Sequence, residues 1–267
     1  MKNKKNLLLI SNSTNFGEPY LAWCQTQIDY FCEKNKISAD SNILFIPFAG
    51  VNIGGVAYPK SYNMYEERVK NVFSLWGYNN VTSIHVLKKG AKKATIKADA
   101  IKKADCIVVG GGNTFHLYKE MHKFDLMEKV REKVESGTPY IGWSAGSNLA
   151  CPTLCTTNDM PIAQPKNFNG LNLVPFQINP HYLDPTPEID KMIKHGGETR
   201  QDRLNEYLAV NQKSVVVGLR EACALWVEGD KMTLRGGKNL VVMTYNKKAK
   251  KVEIEEKKAG SDVRELL

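Results

Sequence analysis

Over the first half of the chain, short apolar runs alternate with stretches whose apolar residues recur at helical spacing. The runs are LLLIS at Leu7–Ser11, ILFIPFAG from Ile43, a segment near Ile84–Leu87, CIVVGGG from Cys106 and Tyr140–Trp143, each short enough for a buried strand. Between them, Tyr20–Lys34, Tyr65–Trp76, Ala98–Lys103 and Phe115–Ser136 read as helices, the last as one or two. Strand-helix alternation of this kind builds parallel sheets, because each crossover lays a helix on a face. The expected class is therefore α/β, a mostly parallel sheet sandwiched by helices.

Beyond Cys151 the pattern loosens into a loop rich in Pro, Asn and Thr, after which the strand-like LVPFQI leads to Asn179-Pro180-His181. A helix is expected over Arg200–Leu208 and a strand over Val215–Leu219. The last part changes character. ALWVEGDKMTL places two β runs around Gly229-Asp230, a hairpin turn signal, and NLVVMTY and KVEIE follow as strands. No linker, repeat or low-complexity block divides the chain, so residues 1–267 are expected to form a single domain carrying C-terminal β-hairpin strands as an appendage.

Composition narrows the function classes. Hydrophobic residues at 42% and charged residues at 24% describe an ordinary folded protein. No run approaches the ~20 apolar residues that span a bilayer, and the LLLI of the N-terminal segment is too short for a signal peptide, so a cytoplasmic protein with no membrane partner is expected. The six cysteines are scattered without a C-x-x-C pair, which points to reduced, mostly buried thiols rather than zinc or a redox dithiol. The charge of +9 is lysine-rich, with pairs at Lys88-Lys89, Lys92-Lys93, Lys102-Lys103 and Lys247-Lys248. Nucleic-acid readers usually interleave arginine forks or stacking aromatics, so a solvated surface is expected and no nucleic-acid partner.

The strongest local signal is Gly142-Trp143-Ser144-Ala145-Gly146, a G-x-S-x-G at the end of an apolar run and before the helix-competent SNLAC. A sharp strand-to-helix turn pushes a serine hydroxyl out of a sheet, and the helix start leaves free N–H groups beside it. Ser144 is thus the candidate nucleophile, and a hydroxyl nucleophile needs a base. Among the histidines, His85 falls in an expected strand and His116, His122 and His195 in helix-like or polar surroundings. His181 instead follows a strand at the sheet edge where ligand loops gather, and is the candidate base. Its orienting acid is Asp159, in TTNDMPI, or Glu221, just past VVVGLR, and spacing alone leaves both open. Gly110-Gly111-Gly112-Asn113-Thr114 turns from a strand into a helix, so its amides can face a developing oxyanion; the amides of Gly112 and Ala145 are the expected donors. Arg200 and Arg203 open a helix capped by Thr199 and Asp202, where the dipole disfavours cations. Each either pairs with Glu198, Asp202 or Glu206, or receives a substrate carboxylate.

GGGNTF, IGWSAGSNLACP, TTNDMPI, INPHY and GETR, in this order, resemble the peptidase E family of bacterial α-aspartyl dipeptidases, from LLLISNST through about Glu221. The resemblance implies a fold like that of class I glutamine amidotransferases and hydrolysis of small peptides with an N-terminal aspartate, without metal or other cofactor. By the same resemblance Ser144 matches the nucleophile, His181 the base, Glu221 the glutamate of a Ser-His-Glu triad, and Asp159 an aspartate also assigned to the charge relay. Glu221 is the one expected to orient His181, with Arg200 selecting the aspartyl side chain and Asn113 the next substrate-binding candidate. Two departures stand out. The family's tryptophan after the glutamate lies two places further on, at Trp226, and Ser147 stands where alanine is frequent. A cyanophycinase-like or β-aspartyl peptide hydrolase would keep the same residues, and a non-catalytic sensor on this fold would not need them together. The sequence assigns no oligomeric state.

Overall fold

The computed structural model describes residues 4–88, 91, 94–184 and 198–267. The chain begins with β1 (Asn6–Ile10), α1 (Gln25–Lys34), β2 (Ile43–Ile46), a small ribbon of β3 (Asn52–Ile53) and β4 (Val56–Ala57), and α2 (Ser61–Leu75). It continues through β5 (Val81–Ser83), a second ribbon of β6 (His85–Val86) and β7 (Thr95–Ile96), α3 (Ala100–Lys103), β8 (Cys106–Val109), α4 (Thr114–Lys123), α5 (Met127–Glu135), β9 (Tyr140–Trp143) and α6 (Ala145–Leu149). Then come β10 (Gln177–Tyr182), α7 (Arg200–Val210), β11 (Val216–Arg220), β12 (Cys223–Glu228), β13 (Lys231–Gly236), β14 (Leu240–Asn246) and β15 (Lys251–Lys257).

A seven-stranded sheet runs β13-β12-β1-β9-β8-β2-β5, parallel from β1 to β5. Its central strands are buried along their whole length, the requirement for runs covered on both faces. Alternation then sorts their side chains. Leu8, Ile10, Phe45 and Trp143 pack with Phe31 of α1 and Val69 and Phe73 of α2. Leu7, Leu9, Ile46 and Val109 pack on the other face with Leu117 and Met121 of α4 and Val130 of α5. A second sheet, β10-β11-β14-β15, closes that side. Its inner residues Ile178, Val217, Leu219 and Leu240 join the same buried cluster as Leu7 and Leu9. Its outer residues Tyr182, Val216 and Met243 are covered by Leu204 and Leu208 of α7.

Several expectations need correction. The hairpin around Gly229-Asp230 is not an appendage: β12 pairs antiparallel with β1 over Asn6–Ile10 and extends the main sheet, because Ala224 and Trp226 carry the apolar face that β1 needs covered. The strand expected at Ile84–Leu87 lies earlier, at Val81–Ser83, and His85 falls in the small ribbon. Of the one or two helices expected over Phe115–Ser136 the structure forms two, as that reading allowed, broken where Asp125 takes φ 51°. In LVPFQI only the last two residues enter β10, which continues through His181. His195, Gly196, Gly197, Lys89, Lys92 and Lys93 lie outside the described residues. Lys88, Lys102, Lys103, Lys247 and Lys248 are exposed, and five of the six cysteines are buried, all six unpaired.

Candidate active site

The GWSAG segment makes the turn its composition calls for. β9 ends at Trp143 and α6 begins at Ala145, with Ser144 between them at φ 53° and ψ −112°. A non-glycine residue there stores roughly 1–3 kcal/mol of strain, and three hydrogen bonds hold it. Ser144 N–H donates to Ile10 O (3.0 Å), while its carbonyl accepts from the amides of Ser147 (2.9 Å) and Asn148 (3.0 Å). The turn also needs a small second flank, because a Cβ on Gly146 would lie 2.2 Å from Val109 O.

His181 reaches the serine from the other sheet. The β10–β11 register shifts between Pro180 and Tyr182, and at this bulge His181 takes φ 53°. Bulges re-aim side chains, and here the imidazole stands between two partners: Nε2 lies 2.9 Å from Ser144 Oγ and Nδ1 lies 2.8 Å from Glu221 Oε1. A carboxylate accepts the Nδ1 proton, which leaves Nε2 free to accept the serine's. Glu221 follows β11 directly, and Ala222 at φ 63° then turns the chain into β12. The displaced tryptophan is explained by that turn. Trp226 sits opposite Leu8 in the β1–β12 ladder and packs edge-on against Tyr30 and Phe31, so its position answers to the core and not to Glu221.

Asp159 has other partners. Its Oδ2 accepts from Thr114 N–H (2.7 Å), Thr114 Oγ1 (2.5 Å) and Thr157 Oγ1 (3.1 Å), placing an anion at the start of α4 where the helix dipole favours it. Asn113 caps the same helix: its Oδ1 accepts from His116 N–H (3.0 Å) and its Nδ2 donates to Met160 O (2.9 Å). Both ends of the Asn113 amide are thus engaged within the protein, and together the two residues fasten the Thr157–Met160 loop to α4. Between them and the elbow lies Gly112, at φ 129°, where a Cβ would sit 2.2 Å from Ala49 O. Its amide makes no backbone hydrogen bond among the described residues, and Ala145, first in α6, has no acceptor within its helix.

Asp159, His181 and Glu221 line one pocket of about 860 Å³, and so do Arg200 and Arg220. The two arginines differ. Arg220 is held by Asp184 through Nε (2.7 Å) and Nη2 (2.6 Å), by Glu256 and by Asn239 O, so each of its three nitrogens is engaged. At the start of α7, Thr199 and Asp202 close a capping box and Arg203 pairs with Glu198 and Glu206. That uses all three carboxylates offered to Arg200, which has no hydrogen bond or ion pair among the described residues. Burial pulls its guanidinium below the ordinary value, and the nearby Glu221 charge opposes that pull. Among the described residues, no group of three or more His, Cys, Asp or Glu side chains is placed to hold a metal ion.

Of the remaining described histidines, His85 and His116 are buried, His85 bonding to Ser83 and Asn63 and His116 to Phe48 O, and burial lowers the pKa of these two and of the partly buried His122. Sequence reasoning passed over Ser11, Asn12 and the work of Ser147. The Ser147 hydroxyl lies 2.7 Å from Ile10 O and 2.9 Å from Gly142 O, clamping the elbow to β1. Ser11 and Asn12 are buried polar residues ending an apolar strand at the sheet's carboxyl edge, a signal available in LLLISN.

Known proteins resemble this chain over most of its length. The chain is 44% identical to Peptidase E of Nostoc sp. over 241 residues, covering 90% of each chain. It is 39% identical to Peptidase E of Shewanella amazonensis over 260 residues, 97% of this chain and 98% of that one. The solved structure of a peptidase from an acI-B1 Actinobacterium shares the fold, with TM-score 0.67 at 17% identity, covering 98% of this chain and 97% of that one. Residues 7–235 match the model of peptidase family S51, a span that takes in the elbow serine, the bulge histidine and the glutamate after β11. The chain belongs to peptidase family S51, and it is a serine peptidase.

Proposed function

We propose that this peptidase hydrolyses dipeptides with an N-terminal aspartate, with Ser144 as nucleophile, His181 as general base and acid, and Glu221 as the group that orients the imidazole. His181 Nε2 takes the Ser144 proton as Oγ attacks the peptide carbonyl, and the amides of Gly112 and Ala145 receive the oxyanion. His181 then gives the proton to the leaving amine. Water, deprotonated by the same nitrogen, releases aspartate from the acyl-enzyme. Asp159 and Asn113 act indirectly, holding the loop that walls the pocket.

One observation carries the reading: the Ser144–His181–Glu221 chain, at 2.9 and 2.8 Å, meets through His181 and Glu221 a pocket whose one arginine without a hydrogen bond or ion pair among the described residues is Arg200. A half-buried guanidinium that makes no hydrogen bond is costly, the Glu221 charge opposes that cost only at a distance, and a substrate carboxylate would offset it through two parallel hydrogen bonds, on the order of 1.5–3 kcal/mol for a charged bond. The six unpaired thiols support a cytoplasmic setting, and no helix among the described residues is long and apolar enough to cross a membrane. The buried cluster shared by both sheets supports residues 1–267 working as one domain.

The test compares Asp-Leu with Asn-Leu, Ala-Leu and β-Asp-Leu. Asp-Leu is expected to be cleaved fastest, and Arg200→Ala to lower its kcat/KM by roughly 10- to 200-fold with no comparable change for Asn-Leu. Arg200→Lys is expected to be a poor rescue, since a point charge cannot reproduce the fork. Preference for β-Asp-Leu, or an Asp-Leu to Asn-Leu ratio unmoved by Arg200→Ala, would overturn the assignment.

A further inference from the structure

Three residues at the triad hold positive φ without being glycine: Ser144 at 53°, His181 at 53° and Ala222, next to Glu221, at 63°. Such backbone persists only where its surroundings over-determine it. Here the surroundings are three consecutive residues at the end of β1. Ile10 O accepts from Ser144 N–H at 3.0 Å, Ser11 Oγ from His181 N–H at 2.9 Å, and Asn12 Oδ1 from Ala222 N–H at 2.8 Å. The Ser11 hydroxyl donates onward to Leu219 O (2.7 Å) and its amide to Cys223 O (3.0 Å), so one residue ties β10, the end of β11 and the start of β12 to β1. Asn12 is held in turn, its Nδ2 donating to Thr14 O (3.0 Å) and Asn15 Oδ1 (2.9 Å). Both side chains are buried, Ser11 fully and Asn12 to within 1%.

We propose that Ser11 and Asn12 are positioning residues of this peptidase, setting the distance between the elbow serine of one sheet and the histidine and glutamate of the other. The proposal rests on the triad reading above. Main-chain ladders do not do this work, since the two sheets are separate and the β10–β11 pairing is interrupted at the histidine. Without the Ser11 oxygen, His181 N–H and Leu219 O lose their shared partner and the strained bulge can relax. A misplacement of about 1 Å at the imidazole is worth around 10²-fold in rate. Arg200 stands on α7 and makes no hydrogen bond to Ser11 or Asn12, so substrate binding should be spared.

The experiment uses the full-length protein and measures two quantities: the rate at which diisopropyl fluorophosphate labels Ser144, and kcat and KM for Asp-Leu. In Ser11→Ala both the labelling rate and kcat are expected to fall about 10- to 100-fold, with KM within about twofold of wild type. Ser11→Thr, which keeps the hydroxyl, should recover much of the loss. Asn12→Ala should act in the same direction through Glu221. A Ser11→Ala enzyme with labelling rate and kcat within about twofold of wild type overturns the proposal, even if its melting temperature drops, because the serine would then be structural only. A raised KM with unchanged kcat overturns it too. A wild-type enzyme that takes no label on Ser144 sinks the triad reading itself, and the positioning role with it, an outcome distinct from equal labelling of both proteins.

Discussion

Two serine–histidine side-chain pairs stand within hydrogen-bond reach among the described residues, and their surroundings differ. In the first, His181 lies 2.9 Å from Ser144 and 2.8 Å from Glu221, beside a pocket. In the second, His85 Nδ1 lies 2.5 Å from Ser83 Oγ, its Nε2 lies 2.8 Å from Asn63 Oδ1, and Glu66 is 3.9 Å away. The residue types nearly repeat. What differs is the backbone and the exposure. Ser144 and His181 both sit at positive φ and face solvent in part, whereas His85 is 3% exposed and Ser83 5%, and Ser83 occupies an ordinary strand position at the end of β5. Ser83 is not followed directly by a helix as Ser144 is, and its own proton is within reach of Phe45 O at 3.4 Å. A serine next to a histidine is therefore not a nucleophile by composition. In the mechanism proposed above it becomes one where strain lifts it off a sheet edge, beside amides without a backbone partner.

The largest effect separates the pairs directly. Ser144→Ala should lower kcat by about 10⁴- to 10⁶-fold, the range for losing a nucleophile from a triad, while Ser83→Ala should leave kcat for Asp-Leu within about threefold. A Ser83→Ala enzyme as damaged as Ser144→Ala would erase the distinction. Next, Glu221→Gln removes the acceptor that fixes the imidazole and should cost about 10²- to 10⁴-fold in kcat. Asp159→Asn, which can still cap α4, should cost less than about tenfold in kcat. Reversal of that order in steady-state assays would exchange the two carboxylates.

Gly112→Ala sharpens the comparison at the oxyanion. The added methyl would meet Ala49 O and the φ of 129° would be strained, so the loop should shift and kcat fall by about 10²- to 10³-fold, the scale of one lost oxyanion donor. Unchanged kcat would take Gly112 out of the oxyanion site. The smallest effect belongs to the buried pair and appears in stability, not rate. Burial lowers the pKa of His85 and His116, so the unfolded chain binds protons that the folded chain refuses. Their contribution to stability is complete above the unfolded value of about 6.5 and is lost as pH falls through the folded values. The melting temperature should drop between pH 7.5 and 5, and His85→Gln should flatten that slope; an equally steep slope in the variant would remove His85 from the account.

Much of this protein is written locally. The alternation of apolar runs and amphipathic stretches determines an α/β sheet with helices on both faces, because strand and helix periodicities are properties of a few neighbouring residues. The elbow is local too: Gly142 to Ser147 carry the strand end, the turn and the helix start, and Thr199 with Asp202 spell out the cap of α7 within four positions. Tertiary structure decided what lies far apart in the chain. His181 meets a serine 37 residues away and a glutamate 40 residues away, and its amide is held by a serine 170 residues away. Glu221 and Asp159 look alike in sequence, and only the bulge in β10 and the cap of α4 assign them different partners. Arg200 was distinguished from Arg203 in the same way, by which of them the neighbouring carboxylates had already engaged. Local preferences act on the next few residues and leave their mark in the pattern, whereas a hydrogen bond across two sheets depends on the position of every strand between its ends, and no single segment carries that information.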